Sequence, residues 1–187
     1  MPVGEVLNFG FSGNCMMQEE VADLLLELKP SVFVIDCLPN MGAATVTERA
    51  TPVFKQLREK LGPDVPMLVL EGHTYSVRFA LKTTNFVLHV NMMNFALKMM
   101  SLKMQTQNAW VLPSIASAQA AKRTAQKAAF DEQAKTDKNI HYMAGDAKLA
   151  SLGEGQYDAT SGIGVHPTNI AHLHIAQAVA AAVKPLL

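Results

Sequence analysis

The run Ser31-Val32-Phe33-Val34-Ile35-Asp36 (SVFVID) holds four consecutive β-branched or aromatic residues, with Pro30 before it and the loop Cys37-Leu-Pro-Asn-Met-Gly42 after it. A short, unbroken apolar run between turn residues is the pattern of a strand buried on both faces, as in a parallel sheet. Working outward, Gln18–Lys29 (QEEVADLLLELK) reads as a helix, with acids in its first turn and apolar residues at three-to-four spacing. Thr45–Leu61 reads as a second helix, Pro66–Glu71 (PMLVLE) as another buried strand, and Trp110–Lys135 as the container of a long Ala- and Gln-rich helix. Asn139–Met143 (NIHYM) reads as a strand and Asn169–Val183 as a last helix, while Glu5–Asn8 reads as a short strand ahead of a glycine-containing loop. Strands alternating with helices predict an α/β fold, a parallel sheet covered on both faces.

Composition bounds the rest. The chain has 187 residues, enough for one domain with a full core, and 49% of them are hydrophobic. Sixteen basic and sixteen acidic residues cancel, so the charge balance gives no signal for nucleic acid or an anionic membrane surface. The two cysteines, Cys15 and Cys37, do not make a disulfide framework. The sequence opens without a signal-peptide pattern, and the compartment stays open.

In an open parallel sheet the chemistry lies beyond the C-terminal strand ends. Three loops answer to that position: Asn8–Asn14 (NFGFSGN), Asp36–Gly42 (DCLPNMG) and Asp158–Asn169 (DATSGIGVHPTN). Each has a plain reading alone: a tight turn at Gly10 and Gly13, a cap or turn at Asn40, a surface histidine at His166. Together they supply the parts of an acyl-transfer site. A glycine N–H and an Asn side-chain amide can donate to an oxyanion, and a loop histidine can act as general base and acid.

On these three stretches, NFGFSGN, DCLPNM and GVHPTN, taken in order and in strand–loop–helix context, the chain resembles the SGNH (GDSL-like) hydrolases. The resemblance covers most of the chain apart from one internal segment. It implies a flavodoxin-like three-layer α/β/α sandwich and hydrolysis of acyl or acetyl esters of carbohydrates or lipids. It implies a small-molecule or carbohydrate ester as substrate, no metal or organic cofactor, no nucleic acid and no membrane span. Carried over residue by residue, Gly13 is the backbone oxyanion donor, Asn40 the side-chain donor and His166 the catalytic base.

The sequence departs from the family in two places. The family's nucleophilic serine lies on a block upstream of NFGFSGN, and here seven residues precede Asn8. The sheet is therefore expected to lack its first strand, and the chain to be a weakly active or inactive form of the enzyme. Ser12 sits beside the oxyanion glycine and does not take the nucleophile's place. The family's acid lies three residues before the histidine, where this chain has Ile163. Asp158, eight residues before His166, orients it only if the loop folds back. A missing acid slows catalysis, whereas a missing serine removes the covalent step.

Residues 77–107 are atypical: 31 residues with no Asp, Glu, Gly or Pro and five of the eleven methionines. They read as an amphipathic insertion, a lid or a membrane-surface helix, or as the translation of a retained intron. In that last case Val77-Arg78 and Gln107 would mark the splice signals, and Ser76 would join Asn108. Outside that segment the chain reads as a single domain over 1–187. His172 and His174 stand two apart on one helix and so point to different faces, which sets aside a metal site with His166. Cys37 reads as a small buried thiol. Two other functional classes stand beside the hydrolase: a non-catalytic relative that binds an acyl or sugar ligand, and a flavodoxin-like domain using NFGFSGN as a phosphate loop. The last leaves Asn40 and GVHPTN unexplained and lacks the Gly-Lys-Ser/Thr of a P-loop.

Overall fold

The computed structural model describes residues 5–72, 113–145, 147 and 166–187. The chain divides into two compact units. One comprises Met1–Gly72, Ser117–Gly145 and Ala182–Leu187, the other His73–Ala116 and Asp146–Ala181.

The first unit is built on three parallel strands in the order β1 (Phe33–Ile35), β2 (Met67–Leu70) and β3 (Ile140–Met143). Val34 pairs with Leu68 and Leu68 with His141, so the three strands run in register. All four residues of β2 are buried. Successive strand residues face opposite sides, so burial of the whole of β2 means that both faces of the sheet are covered there, as PMLVLE predicts; β1 departs from the expectation drawn from SVFVID, since Ile35 is buried but Val34, on the other face, is 40% exposed. The mixed α/β architecture with a parallel sheet is the expected fold class.

Helix α1 (Glu19–Leu26) carries Glu19 and Glu20 in its first turn, where the helix dipole favours anions. Helix α2 (Ala43–Leu61) buries Val46, Ala50, Val53, Phe54 and Leu57, a stripe at three-to-four spacing. Full burial of Phe54 contributes about 1.5–3 kcal/mol. The same core takes Met67 and Val69 from β2, Ile35 from β1, Ile140 from β3 and Ala129 from helix α3 (Pro113–Ala134). Of the ion pairs among this unit's described residues, one is largely buried. The Arg58 Nε donates to Asp137 at 2.7 Å, with side chains 14% and 3% exposed. The same guanidinium donates to the carbonyls of Gly62, Val65 and Asn139, and so clamps the end of α2 to the chain entering β2 and β3.

Glu5–Asn8, expected as a strand, has no regular structure. Val6 is 84% exposed and Leu7 50%. A β-strand exists only with a hydrogen-bonded neighbour, and among the described residues β1 pairs with β2 alone, so this apolar run stands without a ladder. The other predicted elements appear within one to three residues of their expected ends, where helices and strands ordinarily fray.

In the second unit the described residues centre on helix α4 (Asn169–Val183). Thr168 is its N-terminal cap: the Ala171 N–H donates to the Thr168 hydroxyl at 3.2 Å, and the His172 N–H to the Thr168 carbonyl at 2.8 Å. Thr168→Ala is expected to cost about 1 kcal/mol, read as a lower urea midpoint with unchanged m-value; no change would contradict the cap. The atypical segment 77–107 lies outside the described residues. No helix among the described residues is long and apolar enough to cross a membrane.

Candidate active site

The glycine loop is shaped by its own short side chains. The Asn8 side-chain oxygen accepts the Gly10 N–H at 2.9 Å, an Asx turn that bends the chain at once. The Asn14 N–H then donates to the Phe11 carbonyl at 3.2 Å, closing a four-residue turn. Both central residues are left-handed, Ser12 at φ 43° and Gly13 at φ 86°. Glycine is the residue that takes such angles without strain, and space is open where a Cβ would stand on Gly13. An exposed glycine at the crest of a tight turn is suited to present a backbone N–H to a bound group.

Asn40 ends a 3₁₀ turn, Leu38–Asn40, that follows β1 at its C-terminal end. Its backbone N–H donates to the Cys37 carbonyl at 3.1 Å, and the Met41 N–H to the Leu38 carbonyl at 3.2 Å. Leu38 is fully buried and anchors the turn in the core. The Asn40 side chain is exposed and makes no hydrogen bond among the described residues. Lys122 on α3, only 6% exposed, donates from Nζ to the Pro39 carbonyl at 3.4 Å. Burial, with the charge of neighbouring Arg123, lowers the Lys122 pKa.

The two turns are anchored on one buried cluster: Met17, with Cys15 and Met16 packed against the cluster, follows the Gly13 turn, and Cys37, Leu38 and Met41 flank Asn40. Arg49 on α2 adds a bond to the Met16 carbonyl at 3.2 Å. Beside the glycine loop, Phe9 and Phe11 form an apolar groove with Val21, Leu24, Leu25 and Leu28 of the α1 region.

A second cluster braces the ends of β2 and β3. Glu71 accepts the Tyr142 hydroxyl at 2.9 Å and the Gly145 N–H at 2.7 Å. Burial, and then the bond to Glu71, push the Tyr142 phenol well above its ordinary range, so it stays a donor. Arg123 donates to the Gly72 carbonyl at 2.6 Å. Gly145 lies so close to Gly72 that an added Cβ would stand 2.1 Å from the Gly72 carbonyl oxygen. Gly145→Ala must push the two backbones apart and is expected to cost roughly 1–3 kcal/mol, read by chemical denaturation; a neutral substitution would contradict this contact.

Of the four residues expected from the sequence, Gly13 and Asn40 lie on turns anchored on the same buried cluster. His166 is exposed and lies in the second unit, two residues before the cap of α4. Asp158 lies outside the described residues. The NFGFSGN loop does not follow a strand, whereas the DCLPNMG loop follows β1 as predicted. Sequence reasoning missed the buried Lys122 and the Glu71–Tyr142–Gly145 brace. No spacing along the chain signals any of them, because each joins residues brought close only by the fold.

Comparison with known proteins agrees with this architecture. The chain superposes on a crystal structure described as a GDSL-like lipase from Bacteroides ovatus ATCC 8483, with a TM-score of 0.65 and 19% identity. The match covers 93% of this chain and 41% of that one, so the chain spans less than half the length of its structural neighbour. A search of curated proteins gave no match. The sequence profile of the GDSL-like Lipase/Acylhydrolase family matches residues 3–109, more than half of the chain. The chain belongs to the GDSL-like lipase/acylhydrolase family.

Proposed function

We propose that the chain acts on ester bonds, with acyl or acetyl esters of carbohydrate or lipid as its substrates. The observation that carries this reading is the anchoring of two donor-bearing turns on one buried cluster. The left-handed Gly13 turn and the Asn40 turn at the end of β1 rest on the same apolar side chains, which supports offering the backbone N–H of one and the side-chain amide of the other to a single oxyanion. The apolar groove along Phe9, Phe11 and α1 suits the acyl part of an ester. His166 serves as general base and Asp158 as its orienting acid.

Ser12 is not given the nucleophile's part, since it is held at the strained left-handed corner beside Gly13. For this chain by itself the attacking atom is the oxygen of water. His166 takes a proton from that water, and the oxygen bonds to the ester carbonyl carbon. The negative charge passes to the carbonyl oxygen, facing Gly13 and Asn40. Collapse breaks the bond to the alcohol oxygen, which receives the proton from His166, leaving acid and alcohol. Such a site lacks covalent catalysis. It reaches at most about 10³–10⁴ over the rate in buffer, the residue of catalysis that an oxyanion hole and binding supply alone.

The test is p-nitrophenyl acetate hydrolysis by the purified chain, followed from the first milliseconds, with a fluorophosphonate added in parallel. Slow linear release without a burst, and no phosphonylated serine, is the expected result. A stoichiometric burst or a labelled Ser12 would overturn the water mechanism. No hydrolysis above buffer, with retained ester binding, would replace the enzyme by a binding protein.

A further inference from the structure

Helix α3 turns polar side chains toward the core. Lys122, Gln126, Ala129 and Gln133 are all buried and stand three or four apart, on one helix face. A buried cation or amide needs a partner, and this part of α3 donates to backbone carbonyls around the C-terminal ends of the strands. Lys122 Nζ donates to the Pro39 carbonyl at 3.4 Å, Gln126 Nε2 to the Leu70 carbonyl at 3.4 Å, and Arg123 to the Gly72 carbonyl at 2.6 Å. The Lys122 bond falls on the peptide group that leads into Asn40. The carbonyl end of that group, on Pro39, accepts the ammonium. Its N–H end, on Asn40, donates to the Cys37 carbonyl at 3.1 Å. A peptide group is planar, so a hold at each end fixes its tilt. The Pro39 ring already fixes the φ before it. Leu38 packs against Gly72, its Cδ2 3.5 Å from where a Cβ would stand on that glycine.

We propose that Lys122 is a positioning residue, whose ammonium clamps the Pro39 carbonyl, sets the Pro39–Asn40 peptide and so aims the Asn40 side-chain amide. Two torsions, ψ of Pro39 and φ of Asn40, turn this peptide plane about the chain. The Cys37 carbonyl holds one edge of the plane and Lys122 holds the other. Without Lys122 the carbonyl edge can swing, and the Asn40 Cα, from which the amide projects, moves with it. Burial gives the clamp its strength. At 6% exposure the ammonium has little water to compete for it, and a hydrogen bond is electrostatically stronger there than at the surface. A cation on the carbonyl also polarises the peptide, which strengthens the Asn40 N–H as a donor to Cys37. Lys122 acts through Asn40 and takes no proton in the reaction. That the clamp serves hydrolysis rests on the ester reading above; that it holds Asn40 does not.

In the full chain, hydrogen exchange at the Asn40 and Leu68 amides is followed by NMR for the parent, for Lys122→Met and for Lys127→Met as control. Lys127 lies on the same helix, half-exposed and paired with Asp131. Lys122→Met keeps the apolar stem and removes the donor. It is expected to speed exchange at Asn40 at least about tenfold and to leave Leu68, in β2, unchanged. Lys127→Met is expected to change neither. With p-nitrophenyl acetate, Lys122→Met is expected to lower kcat about 10- to 100-fold, with KM within about twofold. Added to Asn40→Ala it is expected to cost nothing further, since it works through that residue. Unchanged exchange at Asn40, equal acceleration at Leu68, or a loss that multiplies with that of Asn40→Ala would each overturn the proposal. If the parent does not hydrolyse the ester, the ester reading falls and exchange at Asn40 alone decides the clamp. If Lys122→Met does not fold, Lys122→Gln, whose shorter side chain falls away from the carbonyl, is measured in the same way.

Discussion

Asn40→Ala is expected to lower kcat for p-nitrophenyl acetate about 10²- to 10³-fold, the usual loss when one oxyanion donor is removed from a preorganised site. The reason lies in how the turn is made. Backbone bonds from Asn40 to Cys37 and from Met41 to Leu38 hold the 3₁₀ turn, and the buried Leu38 side chain anchors it. The Asn40 side chain plays no part in that support, being exposed and unbonded among the described residues. Its removal should therefore leave the fold alone and strike the reaction. The unfolding midpoint of the variant is the control and is expected to match the parent. KM is expected to change little, because the amide meets full negative charge only in the transition state. A fall in kcat of less than about threefold would remove Asn40 from the role.

Arg58→Ala is expected to have the largest effect on stability, a loss of about 3–5 kcal/mol. The Asp137 side chain is 3% exposed and its carboxylate accepts the Arg58 Nε–H at 2.7 Å. Cutting away the guanidinium leaves that charge buried without its cation, and also takes a donor from the Gly62, Val65 and Asn139 carbonyls. A domain of this size has only about 5–15 kcal/mol in hand, so the variant is expected to unfold at a much lower urea concentration or to be purified partly unfolded. The double variant Arg58→Met, Asp137→Leu, which removes both charges, is expected to recover part of the loss. A single-variant cost below about 1 kcal/mol would show that water already screens the pair.

What could be read from the residues alone follows from how local each signal is. PMLVLE announces a buried strand because a parallel sheet needs apolar residues on both faces, and that need is written into consecutive positions; SVFVID announces a strand by the same pattern, but as β1 it leaves Val34 exposed. The α2 stripe from Val46 to Leu57 is legible for the same reason at helical spacing. Glu5–Asn8 shows the limit. Val6 and Leu7 have strand-like character, but a strand is a relation between two segments, and among the described residues no partner pairs with this one. The site divides in the same way. Gly13 and Asn40 were legible as turn residues with donor groups. That both turns rest on one buried cluster, or that Lys122 reaches the Pro39 carbonyl from 83 positions away, depends on packing that no local pattern encodes.

The central claim is that the Gly13 loop, Asn40 and His166 serve one transition state. A double-mutant cycle on kcat/KM for p-nitrophenyl acetate tests it, using Asn40→Ala, His166→Ala and the two combined. Groups that act as a unit are strongly non-additive, so the double variant is expected to fall little below the worse of the single variants. Losses that multiply through to the double variant would show two independent effects and contradict the account.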